Sequence, residues 1–341
     1  MSIHWGGRGA GHVSRWSLAP TGAPTLALNF LSGALDPLIT FTRSGNTATR
    51  TNSSGAIELV NANLPRFDYD PVTLALKGLL IEEQRINLLL NSLIDGTPLS
   101  TQSVTVAATA HTISFYGTGT ITLTGASVAT VTGTGVYPSR RTLTFTPIVG
   151  VLVCTVTGSV QYAQLEAGGF VTSFIPTAGS SVTRSRDEAR IVAPNFAPWY
   201  NASAGTLLIE ALLSPAVDSG SGNYYVAISD GTSSNAINIV DINGTLFNVV
   251  TGGVTQFSQT VGAEPTGILK AALAYASNNT VSSANGAIGA TDTSVALPTV
   301  TSLLIGIRGD ASGSTSLNGH IRAITYYNTR LRNSQLQTLT Q

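Results

Sequence analysis

Acid–base chemistry needs carboxylates held close together, and two pairs invite that reading: Asp68 with Asp70, and the adjacent Glu82 and Glu83. Glycosidases work through such pairs. Here the Asp70-Pro71 dipeptide favours a turn in which both aspartates bond to backbone, and Arg66 and Arg85 stand ready as ion-pair partners for the glutamates. His4, His12, His111 and His320 are scattered, with no GxSxG elbow around a serine and no EF-hand loop. His111, inside an alternating run, reads as a structural residue. The one cysteine, Cys154, lies in VGVLVCTV and reads as a buried, inert thiol. GGRGAG near the start precedes no strand–helix unit and lacks the Lys-Ser/Thr of a phosphate loop. The RGD at 308–310 reads as a turn. Inventory alone does not exclude a Ser-His-Asp hydrolase, but no partner pattern surrounds any of these residues, and the chain is read as a non-enzyme.

Binding chemistry has better candidates. Sugars are held by aromatic platforms together with amide and carboxylate acceptors, and the C-terminal third offers Tyr224, Tyr225, Asp230, Asn235, Asp241, Asn243, Tyr326 and Tyr327. No metal-ligand spacing stands out. Near the N-terminus, Trp5, Arg8, Arg15 and Trp16 punctuate a Gly/Ala/Pro-rich stretch that would order against a partner, so residues 1–35 are read as an extended attachment arm.

The elements that must position these groups are β-strands. Of 341 residues, 35 are Ser and 45 are Thr, only 10% are charged, and 43% are hydrophobic. Seventeen basic residues balance seventeen acidic ones. Such a chain lacks the clustered positive charge that phosphate backbones require, so no nucleic-acid partner is expected. It is too apolar for disorder. Its longest apolar runs fall far short of the ~20 residues that span a bilayer, and its start has no secretory apolar core, so membrane insertion is not expected. A single cysteine forbids an intrachain disulfide, leaving packing and backbone pairing to hold the fold.

Residues 100–160 alternate Thr/Ser with Val/Ile/Leu, as in TQSVTVAATAHTISFYGTGTITLTG, with glycine turns between short runs. One face of each such strand is buried while the other carries hydroxyls, a pattern of antiparallel sandwiches. Farther along, GTLLIEALL, YYVAIS, AINIVDI, ILKAALAYA, LLIGIR and HIRAITYYN read as strands. The closing RLRNSQLQTLTQ, with Leu331, Leu336 and Leu339, reads as one short amphipathic helix. Arg184, Arg186, Asp187, Glu188 and Arg190 form the densest charge cluster and read as a solvated or interfacial ion-pair strip. The fold class expected is mainly β: an extended N-terminal arm (1–35), antiparallel β-sandwich or jelly-roll modules over 36–190 and 191–341, and a short C-terminal helix.

The run FTRSGNTATRTNSSGAIELVNANLPRFDYDPVTLALKGLLIEEQRINLLLNS (41–92) resembles a segment recurring in tailed-bacteriophage virion proteins of the tail-fibre, minor-tail and head-decoration type. It departs from that pattern at Leu74-Ala75, where Gly-Glu is usual after DPVT. QLEAGGFVTSFIPTAGSSVTRSRDEA (164–189) is similar to a second segment of the same proteins, with Phe174 in place of Tyr. GTLLIEALL, ALAY and LNGHIRAITYYNTRLRNSQLQTLT resemble concanavalin A-like or laminin-G-like jelly rolls. The resemblance implies a virion structural protein, a fibre or decoration protein assembled in the host cytoplasm. Its N-terminus would attach to capsid, collar or tail proteins, and its β modules would project outward for adhesion to the host surface. It further implies a homo-oligomer, with a trimer the frequent state. A lectin-type receptor-binding protein for host polysaccharide is the alternative, and a polysaccharide depolymerase is less favoured. No cofactor is expected beyond calcium, which laminin-G-like loops often hold; Asp218, Asp230 and Asp310 are the carboxylates that could serve.

Overall fold

In the strand Ala204–Leu213, Leu207, Ile209 and Ala211 are buried in the main core, while Leu208 between them turns to the opposite face. That two-residue alternation, repeated across many strands, builds the molecule. The structure is a computed structural model and describes residues 22–213, 222–262, 267–310 and 315–341.

Among the described residues, two large antiparallel sheets enclose the main core. The first has eight strands, in the order Ala287–Ile288, Val281–Ala284, Ile268–Ala276, Ala204–Leu213, Gly319–Tyr327, Leu76–Ile81 and Arg66–Tyr69, with Leu26–Asn29 also paired to Gly319–Tyr327. The second has seven: Thr40–Thr42, Glu188–Ile191, Ser302–Ile305, Asn223–Ser229, Ala236–Asp241, Thr245–Thr251 and Val254–Val261. Leu207, Ile209, Leu273, Tyr275 and Ile324 from the first pack with Ile237, Ile239, Phe247, Val249 and Ile305 from the second. The helix Asn333–Leu339 lays Leu336 over Ala272, Ala274, Val281 and Tyr327 on the outer face of the eight-stranded sheet. Its first turn is closed by Gln335, whose Oε1 accepts the Arg332 backbone N–H at 2.9 Å.

Between the two halves of this sandwich the chain makes an excursion. Arg85–Asn87 and Val182–Arg184 pair antiparallel as a stalk. Beyond it, a four-stranded and a three-stranded sheet drawn from residues 102–167 share their own core of Ile113, Phe115, Ile121, Leu123, Leu152, Cys154 and Leu165. This is the Thr-rich sandwich that the alternation predicts. Cys154 is buried there, and burial pushes its thiol up to about 11.

Two expectations about organisation give way. The boundary at 190 cuts through the main sandwich, because strands from 40–81 pair with strands from 188–327 in both large sheets. Nor is 1–35 an arm throughout: Leu26–Asn29 completes the eight-stranded sheet, and Leu26, Leu28 and Phe30 are buried in the main core. The alternation Leu-Ala-Leu-Asn-Phe carries this strand, too short to outweigh the surrounding Gly and Pro in a sequence reading. The six strands read from the C-terminal third and the helix lie close to where the sequence predicts them, while Thr245–Thr251, Val254–Val261, Val281–Ala284 and Ala287–Ile288 are strands it did not pick out.

Candidate functional site

The helix covers one outer face of the sandwich; the outer face of the seven-stranded sheet carries a recess of about 220 Å3 instead. Its floor follows from strand alternation. In Ala236–Asp241, Ile237 and Ile239 enter the core and Asn238 faces outward; in Thr245–Thr251, Phe247 and Val249 enter the core and Asn248 faces outward. The strands pair in a register that sets Asn238 directly opposite Asn248, so the two amides stand side by side. Tyr224 flanks them from the next strand, where the register shifts between Tyr224 and Val226, and Arg308 and Gly309 close one end.

Asn238 is 6% exposed, and its Oδ1 has no hydrogen-bond partner. A buried amide oxygen left bare costs about 1–3 kcal/mol, which a ligand N–H or O–H would recover. Burial raises the Tyr224 hydroxyl above its ordinary range, with nearby Arg308 pulling the other way, so the group stays a protonated donor. Arg308 Nε lies 3.4 Å from Asp310, and its side chain is about one-third exposed. The recess thus offers a bare acceptor, an amide beside it, a phenol and a half-engaged cation. These are groups that could hydrogen-bond a ligand.

Of the predicted sugar ligands, only Tyr224 lines this recess. Tyr225 lies in the core, and Tyr326 lies there too, its hydroxyl 2.8 Å from that of Tyr275. Tyr327 packs beneath the helix. Adjacent strand residues point to opposite faces, so neither tyrosine doublet can act as a platform. Asp230 and Asn235 engage each other at 2.9 Å, and the Asp230 carboxylate also takes the Thr232 N–H and hydroxyl. Asp241 is buried at the end of its strand, and Asn243 occupies a left-handed turn position. Trp5, Arg8, Arg15, Trp16 and Asp218 lie outside the described residues. Among the described residues, no three His, Cys, Asp or Glu gather as a metal group would require. Asn238, Asn248 and Arg308 were not among the predicted ligands; the signal for the first was its place in the polar phase of AINIVD.

The paired carboxylates are structural. Asp68 is not in a turn: it lies in the strand Arg66–Tyr69 and accepts from the Thr51 N–H at 2.7 Å, from His320 Nε2 at 3.0 Å and from Lys77. Asp70 does hold its turn, accepting from the Val72 and Thr73 N–H groups. Glu82 pairs with Arg66 and Arg184, and Glu83 with Arg85. The cluster at 184–190 is no solvated strip at its centre. Arg184 and Asp187 are fully buried, and Asp187 binds both Arg43 and Arg66. Burial alone would raise the Glu82 carboxyl, but Arg184 and Arg66 hold it well below the usual range. His111 is buried, its Nδ1 2.8 Å from the Thr109 carbonyl.

No family model matches the chain, and no curated protein matches it. Among solved structures it is similar to a Ruminococcus gnavus IT-sialidase CBM40 bound to alpha2,3 sialyllactose: 16% identity, TM-score 0.38, covering 44% of this chain and 89% of that one. It is similar to the K499G mutant of NanB sialidase from Streptococcus pneumoniae at 12% identity and TM-score 0.37, over 45% of this chain and 26% of that one. A structure described as a receptor binding domain overlaps at 11% identity and TM-score 0.35, over 46% of this chain and 39% of that one. Such overlaps are loose, and the sandwich described above stands on its own strand pairing.

Proposed function

We propose that the protein binds carbohydrate without transforming it, through the recess on the seven-stranded sheet. The observation that carries this reading is the bare Oδ1 of Asn238, nine-tenths buried, opposite Asn248 and beside Tyr224 and Arg308. Saccharides present many hydroxyls that donate and accept at once, which suits an acceptor and an amide set side by side. A glycan array probed with the whole chain tests it. Binding that Asn238→Ala removes supports the reading; silence across the array, or binding indifferent to Asn238, overturns it.

The setting we infer is a phage particle, with the chain as a fibre or decoration protein, self-associated as a trimer and meeting host surface polysaccharide. Support comes from the two runs similar to virion proteins, which meet in one buried network: Arg43, Arg66 and Glu82 from the first, Arg184 and Asp187 from the second. The residues that carry the resemblance hold a scaffold together, so what they share is architecture and not a site. Peptides of this chain in purified particles of the phage encoding it would support the setting, and their absence would remove it.

A further inference from the structure

A second recess, of about 240 Å3, lies where the inserted module leans on the main sandwich. Asp68, Lys77 and His320 line it from the sandwich; Tyr116, Tyr137 and Arg140 line it from the insertion. None belongs to the recess on the seven-stranded sheet.

His320 is its least satisfied member. The ring is 7% exposed, its Nε2 is bonded to Asp68, and its Nδ1 has no partner. Asp68 is acceptor-only, so the Nε2 carries the hydrogen. Burial lowers the imidazole against the opposing pull of Asp68, so the ring is neutral near pH 7 and Nδ1 presents a lone pair. Arg140 supplies the complement. Its two terminal nitrogens hold the Thr172 carbonyl at 2.7 Å and the Ser114 hydroxyl at 2.8 Å, while its buried Nε–H has no partner. Two residues that line one cleft thus hold, just beneath its surface, an unpartnered acceptor and an unpartnered donor. A carboxylate cannot donate to Nδ1 and an ammonium cannot accept from Arg140, but adjacent hydroxyls do both. Tyr116 and Tyr137, edge to face at 5.1 Å, add an aromatic wall of the kind that packs against sugar C–H groups. The volume is below the ~300–1,000 Å3 of drug-sized sites, which limits the occupant to a single small ring.

We propose that this junction cleft is a saccharide subsite separate from the first, in which one sugar hydroxyl donates to His320 Nδ1, another accepts from Arg140, and the ring lies against Tyr137. The occupant bridges module and sandwich.

Histidine-selective 15N spectra of the whole chain test it, titrated with methyl β-D-galactopyranoside, methyl α-D-glucopyranoside and N-acetylglucosamine, with sodium acetate as the anion control. At least one saccharide should move the His320 Nδ1 resonance saturably while acetate does not. Tyr137→Ala, a rim change that leaves the Asp68–His320 pair intact, should weaken that response about tenfold. Asn238→Ala should leave it unchanged, which separates this cleft from the recess on the seven-stranded sheet. A His320 signal unmoved by all three sugars, moved equally by acetate, or indifferent to Tyr137→Ala would overturn the proposal.

Discussion

Arg43 Nη1 lies 2.9 Å from Asp187 Oδ1, with both side chains fully buried and 144 residues between them in the chain. Asp187 also binds Arg66 and accepts the Glu82 backbone N–H at 3.0 Å, so one carboxylate ties three segments together. Removing it strands the buried Arg43 guanidinium without a counter-charge and leaves Arg66 to Glu82 alone. Asp187→Ala is expected to cost about 3–5 kcal/mol, read by urea unfolding followed through tryptophan fluorescence. A loss below the range of an exposed pair, ~0–1 kcal/mol, would show that the network is not a keystone.

Phe30 is 1% exposed and belongs to the main core. A detached attachment arm would tolerate its loss in silence. As part of a sheet-completing segment, Phe30→Ala is expected to cost about 3–5 kcal/mol, measured in the same unfolding experiment.

Leu74 holds a left-handed backbone, φ +59°, a conformation that favours glycine. Its side chain is exposed, 46%, and gains little from packing. Leu74→Gly is expected to stabilise by about 1 kcal/mol, since that conformation costs an L-residue roughly 1–2 kcal/mol. A fall in Tm would mean the side chain has a role the strain conceals.

Stability should follow pH in two steps. The folded His320 has its value lowered by burial, so the unfolded chain takes up that proton first. Its contribution is whole above the ordinary value of about 6.5 and declines as pH falls below it. Burial works to raise Asp68, but His320 and Lys77 bring it down to about 2; its contribution is whole above the ordinary value of about 3.9 and is lost as pH falls through about 2. Tm is expected to hold near neutrality, sag below about pH 6.5 and drop again in acid. His320→Gln should flatten the first sag, and an unchanged profile would refute the assignment.

Asn238→Ala removes an acceptor that no protein group satisfies. Tm should therefore stay level or rise slightly, while glycan affinity falls about tenfold or more. Parallel loss of both would mark Asn238 as merely structural.

The sequence alone determined the β class, the Thr-rich sandwich, most strands of the C-terminal third and the closing helix. Each follows from a local rule: period-two alternation for strands, the leucines at 331, 336 and 339 for the helix. It also paired Glu82 and Glu83 with Arg66 and Arg85, because those charges are near in sequence. Tertiary structure decided the rest. Alternation says that Tyr224 and Tyr225 part ways but not which one meets solvent. That is settled by which sheet face the core covers, and the same choice sends Tyr326 inward and Asn238 outward. Register set Asn238 against Asn248, and topology brought His320 to Asp68 across 252 residues. Long-range pairing is fixed by the sum of many contacts, and no single stretch of chain carries that sum.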